Sequence, residues 1–202
     1  DSIVSFESCR LIQNQATGAG GGLFAQYSRG FARNLWVDRN TANSSGDGWA
    51  LGGGIYLNYG AWTLWNVGVT RNRAPALSAL GGGIYGVGGV HDLWNVLIAH
   101  NQISGSFTLQ GSGVYLIGNG GFRMENCTIA ANTNGGGLYR AGGAVSIVNT
   151  IIWSNTPVEF NGLTEEAFSY SCVTTLTAGL RGNITCQPFF KNAVTGDFRL
   201  VS

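Results

Sequence analysis

Charge is what this sequence has least of. Charged residues make up 10% of its 202 positions, against roughly 25% in an average soluble domain. The net charge is +1, and Lys191 is the single lysine. That balance excludes a basic nucleic-acid-binding surface and an acidic solvating tail. Proline is scarce too, at three residues, and no Gly-X-Y period exists, so collagen is excluded. No run of 18 apolar residues is present, so no membrane-spanning helix is expected. The four cysteines, Cys9, Cys127, Cys172 and Cys186, contain no C-x-x-C pair, which argues against zinc and thioredoxin-type chemistry. No P-loop, H-E-x-x-H or nucleophile elbow occurs, and no cofactor or metal is expected. The chain opens on Asp1 with no leader, in mid-coil. The expectation is a processed or trimmed chain with one or both ends cut or covered by a neighbouring subunit.

What the sequence has in excess is Gly (33 residues) and Asn (18 residues). Gly costs about 1 kcal/mol at each helix position, so a helical protein is ruled against. The Asn residues are periodic. Six segments share an anchor, alternating apolar residues and a closing Asn six positions on: Ser8 to Asn14, Asn34 to Asn40, Asn66 to Asn72, Asn95 to Asn101, Asn126 to Asn132 and Asn149 to Asn155. A second marker, Gly-x-Gly-aliphatic-aromatic, alternates with them, ending at Phe24, Tyr56, Tyr85, Tyr115 and Tyr139. From marker to next anchor the spacing is 14, 14, 14, 15 and 14 residues; from anchor to next marker it is 12, 18, 15, 16 and 9. The constant arm must pack on its neighbours, and the variable arm must carry loops that leave the stack.

Around each anchor the apolar residues have period two, so Leu35 and Val37 point in and Trp36 and Asp38 point out. Short strands with Gly and Asn at the corners predict a parallel β-solenoid of about six coils. At a rise of about 4.8 Å per coil the rod is roughly 30 Å long. Asn14, Asn40, Asn72, Asn101, Asn132 and Asn155 then stack as an amide ladder. Residues 1–156 hold the repeats; residues 157–202, where the repeat stops, form a cap or last irregular coil of the same domain.

The [Ile/Leu/Val]-x-x-Asn and Gly-Gly-x-[Ile/Leu/Val] markers, over roughly residues 8 to 155, resemble right-handed parallel β-helix repeats of the pectate-lyase-like superfamily. They are most similar to the polymorphic outer-membrane-protein type and to anchored extracellular bacterial β-helix proteins. Gly182-Asn183-Ile184, Pro188-Phe189-Phe190 and Gly196-Asp197-Phe198-Arg199-Leu200 resemble the closing segment of such proteins, with Gln187 where they carry Asp. The resemblance implies an all-β, right-handed parallel β-helix with an irregular C-terminal cap. It implies an extracytoplasmic location: secreted, cell-surface or periplasmic. Members include adhesins, structural proteins and polysaccharide-degrading enzymes, so fold does not select the function.

Two alternatives stand for Cys172 and Cys186. They close a 13-residue loop as a disulfide adding on the order of 3 kcal/mol in an oxidising compartment, or they are buried free thiols. Cys9 and Cys127 share an inward column four coils apart and read as small core residues. The candidate catalytic groups are few. Asp38 has no carboxylate neighbour in its column, so the pair needed for glycoside hydrolysis is missing. Asp38, Asp47, Arg39 and Arg71, near the long loop 41–51, are what a polysaccharide lyase or hydrolase would have to use. Arg39, Arg71 and His100 line one column as a basic stripe about 10 Å long, which reads as a solvated edge or as a site for an acidic sugar or lipid headgroup. His91 falls in an inward column and reads as a hydrogen-bonded core histidine.

The outward aromatics are the stronger signal. Phe24, Tyr56, Tyr85, Tyr115 and Tyr139 form one column, and Trp36, Trp65, Trp94, Leu97, Ile151 and Trp153 face away from the core elsewhere. Three readings compete: rings that stack only on each other, a face that docks on a protein subunit, and a face that stacks on sugar rings. The expectation is a non-catalytic structural or binding subunit, an adhesin or an accessory subunit of an assembly. Its partner is a protein or a second copy held by the apolar faces. The alternative is a polysaccharide-binding protein or a polysaccharide lyase or hydrolase.

Overall fold

The computed structural model describes residues 3–44 and 46–201. The chain winds into a parallel β-solenoid. Among the described residues every strand pairing is parallel except that of a C-terminal hairpin, Phe190–Asn192 with Asp197–Leu200. One face is a seven-stranded sheet in which Arg10–Ile12, Trp36–Asp38, Gly68–Thr70, Leu97–Ala99, Thr128–Ala130, Ile151–Trp153 and Cys172–Val173 stack in that order. It is called the anchor sheet below. Just before each anchor lies the larger, eleven-stranded sheet, including Ile3–Glu7, Arg29–Arg33, Ala61–Trp65, Ile84–Trp94 and Val114–Glu125. The other faces are shorter. Gln15–Thr17, Thr41–Asn43, Arg73–Pro75 and Gln102–Ser104 make a four-stranded sheet, and Trp49–Leu51, Ser78–Leu80 and Leu109–Gln110 a three-stranded one.

The anchor periodicity predicts about six coils, yet coils complete on all sides number about four. The variable arm shortens to nine residues after Asn126, too few for both extra strands. The two large sheets nevertheless continue past residue 156 through Phe160–Asn161, Phe168–Ser169 and Cys172–Val173.

Strand register puts equivalent repeat positions directly above one another. Leu11, Val37, Val69, Ile98, Ile129 and Ile152 stack in register, and all but Leu11 are fully buried. Each such aliphatic side chain contributes about 1.5–3 kcal/mol through removal from water. Both anchor and closing corners take left-handed backbone. Asn34, Asn66, Asn95, Asn126 and Asn149 have φ between 48 and 56°, a conformation that Asn tolerates better than most residues.

The closing asparagines form a continuous ladder, buried from Asn40 to Asn155. Each Nδ2 donates to the Oδ1 of the next coil's Asn, from Asn14 to Asn155, at 2.9–3.0 Å. The same Oδ1 also accepts the backbone N–H of the Asn below. Glu159 ends the ladder, its carboxylate accepting from Asn155 Nδ2 at 2.7 Å. The Gly-x-Gly marker belongs to the same device. A Cβ on Gly54, Gly83 or Gly137 would lie 2.7–2.8 Å from the ladder amide of Asn72, Asn101 or Asn155. The third marker glycine is therefore the space in which the Asn side chain sits.

Three expectations need correction. Cys172 and Cys186 are free thiols. The Cys172 thiol points at backbone, donating to the Cys186 carbonyl oxygen at 3.2 Å, and the bridge is not formed. His91 is fully buried as expected, but neither ring nitrogen has a partner at hydrogen-bonding geometry. The ring sits between Trp62 and Phe122, its register neighbours. The tyrosine column is not an open outer surface. Tyr85 and Tyr115 are buried in a second apolar cluster with Leu51, Leu80 and Val87, because the short three-stranded sheet brings its leucines against the rings.

Candidate functional site

The aromatic columns form ladders that use up their own ring faces. Phe24, Tyr56, Tyr85, Tyr115 and Tyr139 stack at centroid spacings of 4.9–5.3 Å with interplanar angles of 1–9°. This spacing is the coil rise itself, so every ring lies on the one below. Burial and neighbouring phenols raise the Tyr85 hydroxyl to about 12, and burial raises Tyr56 and Tyr115 as well. All three stay protonated across the physiological range. Trp36 lies flat over Gly68 of the next coil, where a Cβ would meet the indole at 2.2 Å. It is half-buried rather than presented to solvent.

Trp65 and Trp94 lie on the outer face of the large sheet, stacked at 6.1 Å and 22°. Trp65 is 48% exposed. The other face of Trp94 carries the Arg123 guanidinium at 4.5 Å, and Arg123 in turn pairs with Glu125 at 2.7 Å. Phe31 and Val90 add exposed apolar area to the same sheet. This outer face is an aromatic and aliphatic strip on which the Arg123 charge is paired with Glu125.

The predicted catalytic residues separate. Asp38, Arg39 and Arg71 come together at the closing corner. Asp38 is 4% exposed, and its Oδ1 accepts from Thr70 Oγ1 at 2.7 Å and from Arg71 Nε at 2.8 Å. Arg39 Nε lies 3.6 Å from the other oxygen. A carboxylate so enclosed positions the two arginines and cannot reach a substrate. Asp47 stands apart. It accepts from the Trp49 N–H at 3.1 Å and so shapes the turn into the three-stranded sheet.

Burial pulls the His91 imidazole down to about 4, an effect the nearby Gly88 backbone only partly offsets. His91 is neutral inside the core and takes no part in surface chemistry. Among the described residues, no group of three or more His, Cys, Asp and Glu is placed to hold a metal ion.

Three of the grooves among the described residues bear on the predicted site residues and the C-terminal end. One of about 680 Å³ runs between the anchor sheet and the C-terminal hairpin, with Trp36, Leu97 and Thr128 on one wall and Phe198 and Arg199 on the other. The hairpin is held there by the His100 Nε2–H, which donates to the Ala193 carbonyl oxygen at 2.9 Å, and by Phe198 against the His100 ring at 5.4 Å. A second groove, of about 550 Å³, follows the closing corner and holds Arg39, Arg71, Arg73 and His100. A third, of about 510 Å³, is apolar and sits between Cys172, Ile184, Phe189 and Leu200 at the C-terminal end.

Sequence reasoning missed two features here. Arg73, two positions beyond the corner, joins the basic column because the chain turns between them; only register shows this. The anchor asparagines also form a second, exposed ladder. Asn66 donates to Asn34, Asn95 to Asn66 and Asn149 to Asn126, at 2.6–3.1 Å. The recurrence of Asn at five of six anchors was its signal.

A family model described as a right-handed beta helix region matches residues 53–185. No curated protein matches the chain, and no solved structure does. The matched span covers most of the stack and gives the parallel winding its hand, so this chain belongs to the right-handed β-helix family.

Proposed function

We propose that this chain is a non-catalytic, extracytoplasmic β-helix that acts as a binding or structural subunit, docking on a protein partner or a second copy through the outer face of its large sheet. One observation carries the reading: the aromatic rings are stacked on one another along the rod. A sugar ring binds an aromatic side chain over its flat face. Here Trp94 is covered on one side by Trp65 and on the other by Arg123. What remains outward are the ring edges of Trp94 beside the exposed Trp65, Phe31 and Val90, a surface matched to the packed side chains of a protein. The paired state of Asp38 and Glu125 favours the same reading, since neither carboxylate is poised to work as an acid or base. The extracytoplasmic location is supported by the sequence resemblance to secreted and surface-anchored β-helix proteins.

The test is the native mass of the particle that carries the chain, prepared gently from its source. The expected mass is well above the 21.2 kDa of one chain. Trp65→Ala with Trp94→Ala should reduce it while leaving the circular dichroism of the solenoid unchanged. A monomer, or an assembly indifferent to the double substitution, overturns the reading.

A further inference from the structure

We propose that Tyr27 and Tyr59 form an oxidative cross-linking site, at which hydrogen peroxide acting through a peroxidase joins the two phenols as dityrosine and fastens one coil of the rod covalently to the next. The reaction rests on the extracytoplasmic part of the function proposed above and not on the docking face.

The two residues occupy one corner of adjacent coils. Leu23–Gln26 and Ile55–Asn58 pair in register, Gln26 opposite Asn58, so Tyr27 and Tyr59 follow at the same repeat position. The backbone ladder runs on through the corner. The Tyr27 N–H donates to the Asn58 carbonyl oxygen at 2.8 Å, and the Tyr59 N–H to the Val87 carbonyl oxygen at 2.7 Å. The rings stack at 5.5 Å between centroids, with their planes within 6° of parallel. On its other side Tyr59 lies over Gly88, where a Cβ would meet the ring at 2.7 Å. Tyr59 is thus braced between Tyr27 and the next coil, and Tyr27 is the more exposed partner that can swing onto it.

Backbone conformation marks the pair. Tyr27 and Tyr59 have φ of 48 and 56°, a region that a bulky side chain enters only under constraint. In the next two coils the same corner is Gly88 and Gly118, with φ of 56 and 86°. Glycine makes the bend without steric cost. Tyrosine is kept only in the two coils where one phenol meets another, and backbone strain of this kind gathers at functional positions.

Exposure selects this pair among the stacked tyrosines. Tyr27 and Tyr59 are 66% and 45% exposed. Tyr85 and Tyr115 have the same ring spacing but are buried among leucines, out of reach of an external oxidant. Tyr170 is exposed, but its ring lies over Gly182 and joins no ring stack among the described residues.

The peroxidase removes one hydrogen atom, as a proton and an electron, from each phenol. The two phenoxyl radicals couple at ring carbons ortho to oxygen, and one C–C bond forms. The hydrogens on those carbons move to the oxygens as protons, which restores both phenols. The pair loses two hydrogen atoms, and the peroxide is reduced to two molecules of water. The link closes residues 27–59 into a covalent ring. Such closure removes freedom from the unfolded chain and so favours the folded coil.

The experiment treats the full chain, at high dilution, with hydrogen peroxide and a haem peroxidase. The expected product is a single chain lighter by two hydrogen atoms, with dityrosine fluorescence, whose digest joins the peptides that carry Tyr27 and Tyr59. Tyr27→Phe and Tyr59→Phe keep a ring at each position and should leave the circular dichroism unchanged, yet each should bring that product down to background. The linked protein should unfold at a higher denaturant concentration than the untreated one. The Trp65→Ala/Trp94→Ala protein should cross-link as the parent does, so that failure of the docking face and failure of this site are told apart. Absence of the lighter single-chain product overturns the proposal. So does equal yield from the phenylalanine variants, a link that maps to Tyr56, Tyr85, Tyr115 or Tyr139, or an unfolding midpoint that the link leaves unchanged.

Discussion

At the scale of single residues, the core carries one group at odds with its surroundings. His91 is enclosed by Trp62 and Phe122 without a hydrogen-bond partner, and burial lowers it from 6.5 to about 4. A folded-state value below the unfolded one means that the unfolded chain binds the proton first. The stability that neutral His91 allows is intact above about pH 6.5 and is lost as pH falls toward about 4. The difference amounts to about 3 kcal/mol, from 1.36 kcal/mol per unit. Denaturant titrations of the parent between pH 7 and 4 should show this loss, and His91→Leu should remove most of it. An identical pH profile for both proteins would show that His91 is not the sensitive group. Sequence placed His91 in an inward column. It could not show that the register neighbours on both sides are aromatic.

At the scale of elements, the two asparagine ladders have the same composition and different energetic weight. The closing ladder is buried. Asn101 accepts from the Asn72 N–H and Nδ2 and donates to the Val69 carbonyl oxygen and to Asn132. Asn101→Ala would leave those groups unsatisfied in the interior, at a cost of about 3 kcal/mol or more. The anchor ladder is solvent-exposed. Asn66→Gly keeps the left-handed corner and loses only hydrogen bonds that water replaces, so its cost should stay within about 1 kcal/mol. Chemical denaturation of the two variants side by side measures the contrast, and equal destabilisation would refute it. The sequence showed both columns, because both recur in phase. Which of them is inside follows from the glycines. Only the closing asparagines face Gly54, Gly83 and Gly137, and only there would a Cβ collide with the amide.

At the scale of the whole molecule, the solenoid and the C-terminal hairpin differ in how they are held. Each coil is tied to the next by parallel ladders on up to four sides. The hairpin is held to the rod by the His100–Ala193 hydrogen bond and the Phe198 ring, with exposed Val194 and Thr195 at its turn. Lys191, the single lysine, is exposed at its start. A lysine-specific protease should therefore cut the native chain once, and the fragment ending at Lys191 should keep the β-sheet circular dichroism and a cooperative melt. Repeat proteins lose terminal elements in this way because stability is a sum over neighbouring units. Loss of the cooperative melt after the cut would mean instead that the hairpin is part of the folding unit.

The sequence by itself determined the winding. In-phase recurrence of Asn, Gly-x-Gly and alternating aliphatics leaves each coil one way to bury its inner face, which is to stack on an identical coil. That logic is local and periodic, so it is readable from spacing. Tertiary structure alone decided what the outer surface offers. Trp36 and Tyr85 sit at outward repeat positions like Trp65, yet Trp36 is half-buried on Gly68 and Tyr85 is covered by leucines of a sheet built from the variable arm. The corner charges follow the same rule. Asp38 is a candidate catalyst as a column entry, and in the fold it is the enclosed counter-ion that aims two arginines. Exposure and pairing depend on which neighbouring coil or loop lies over a residue. The variable arms set that, and their lengths follow no period.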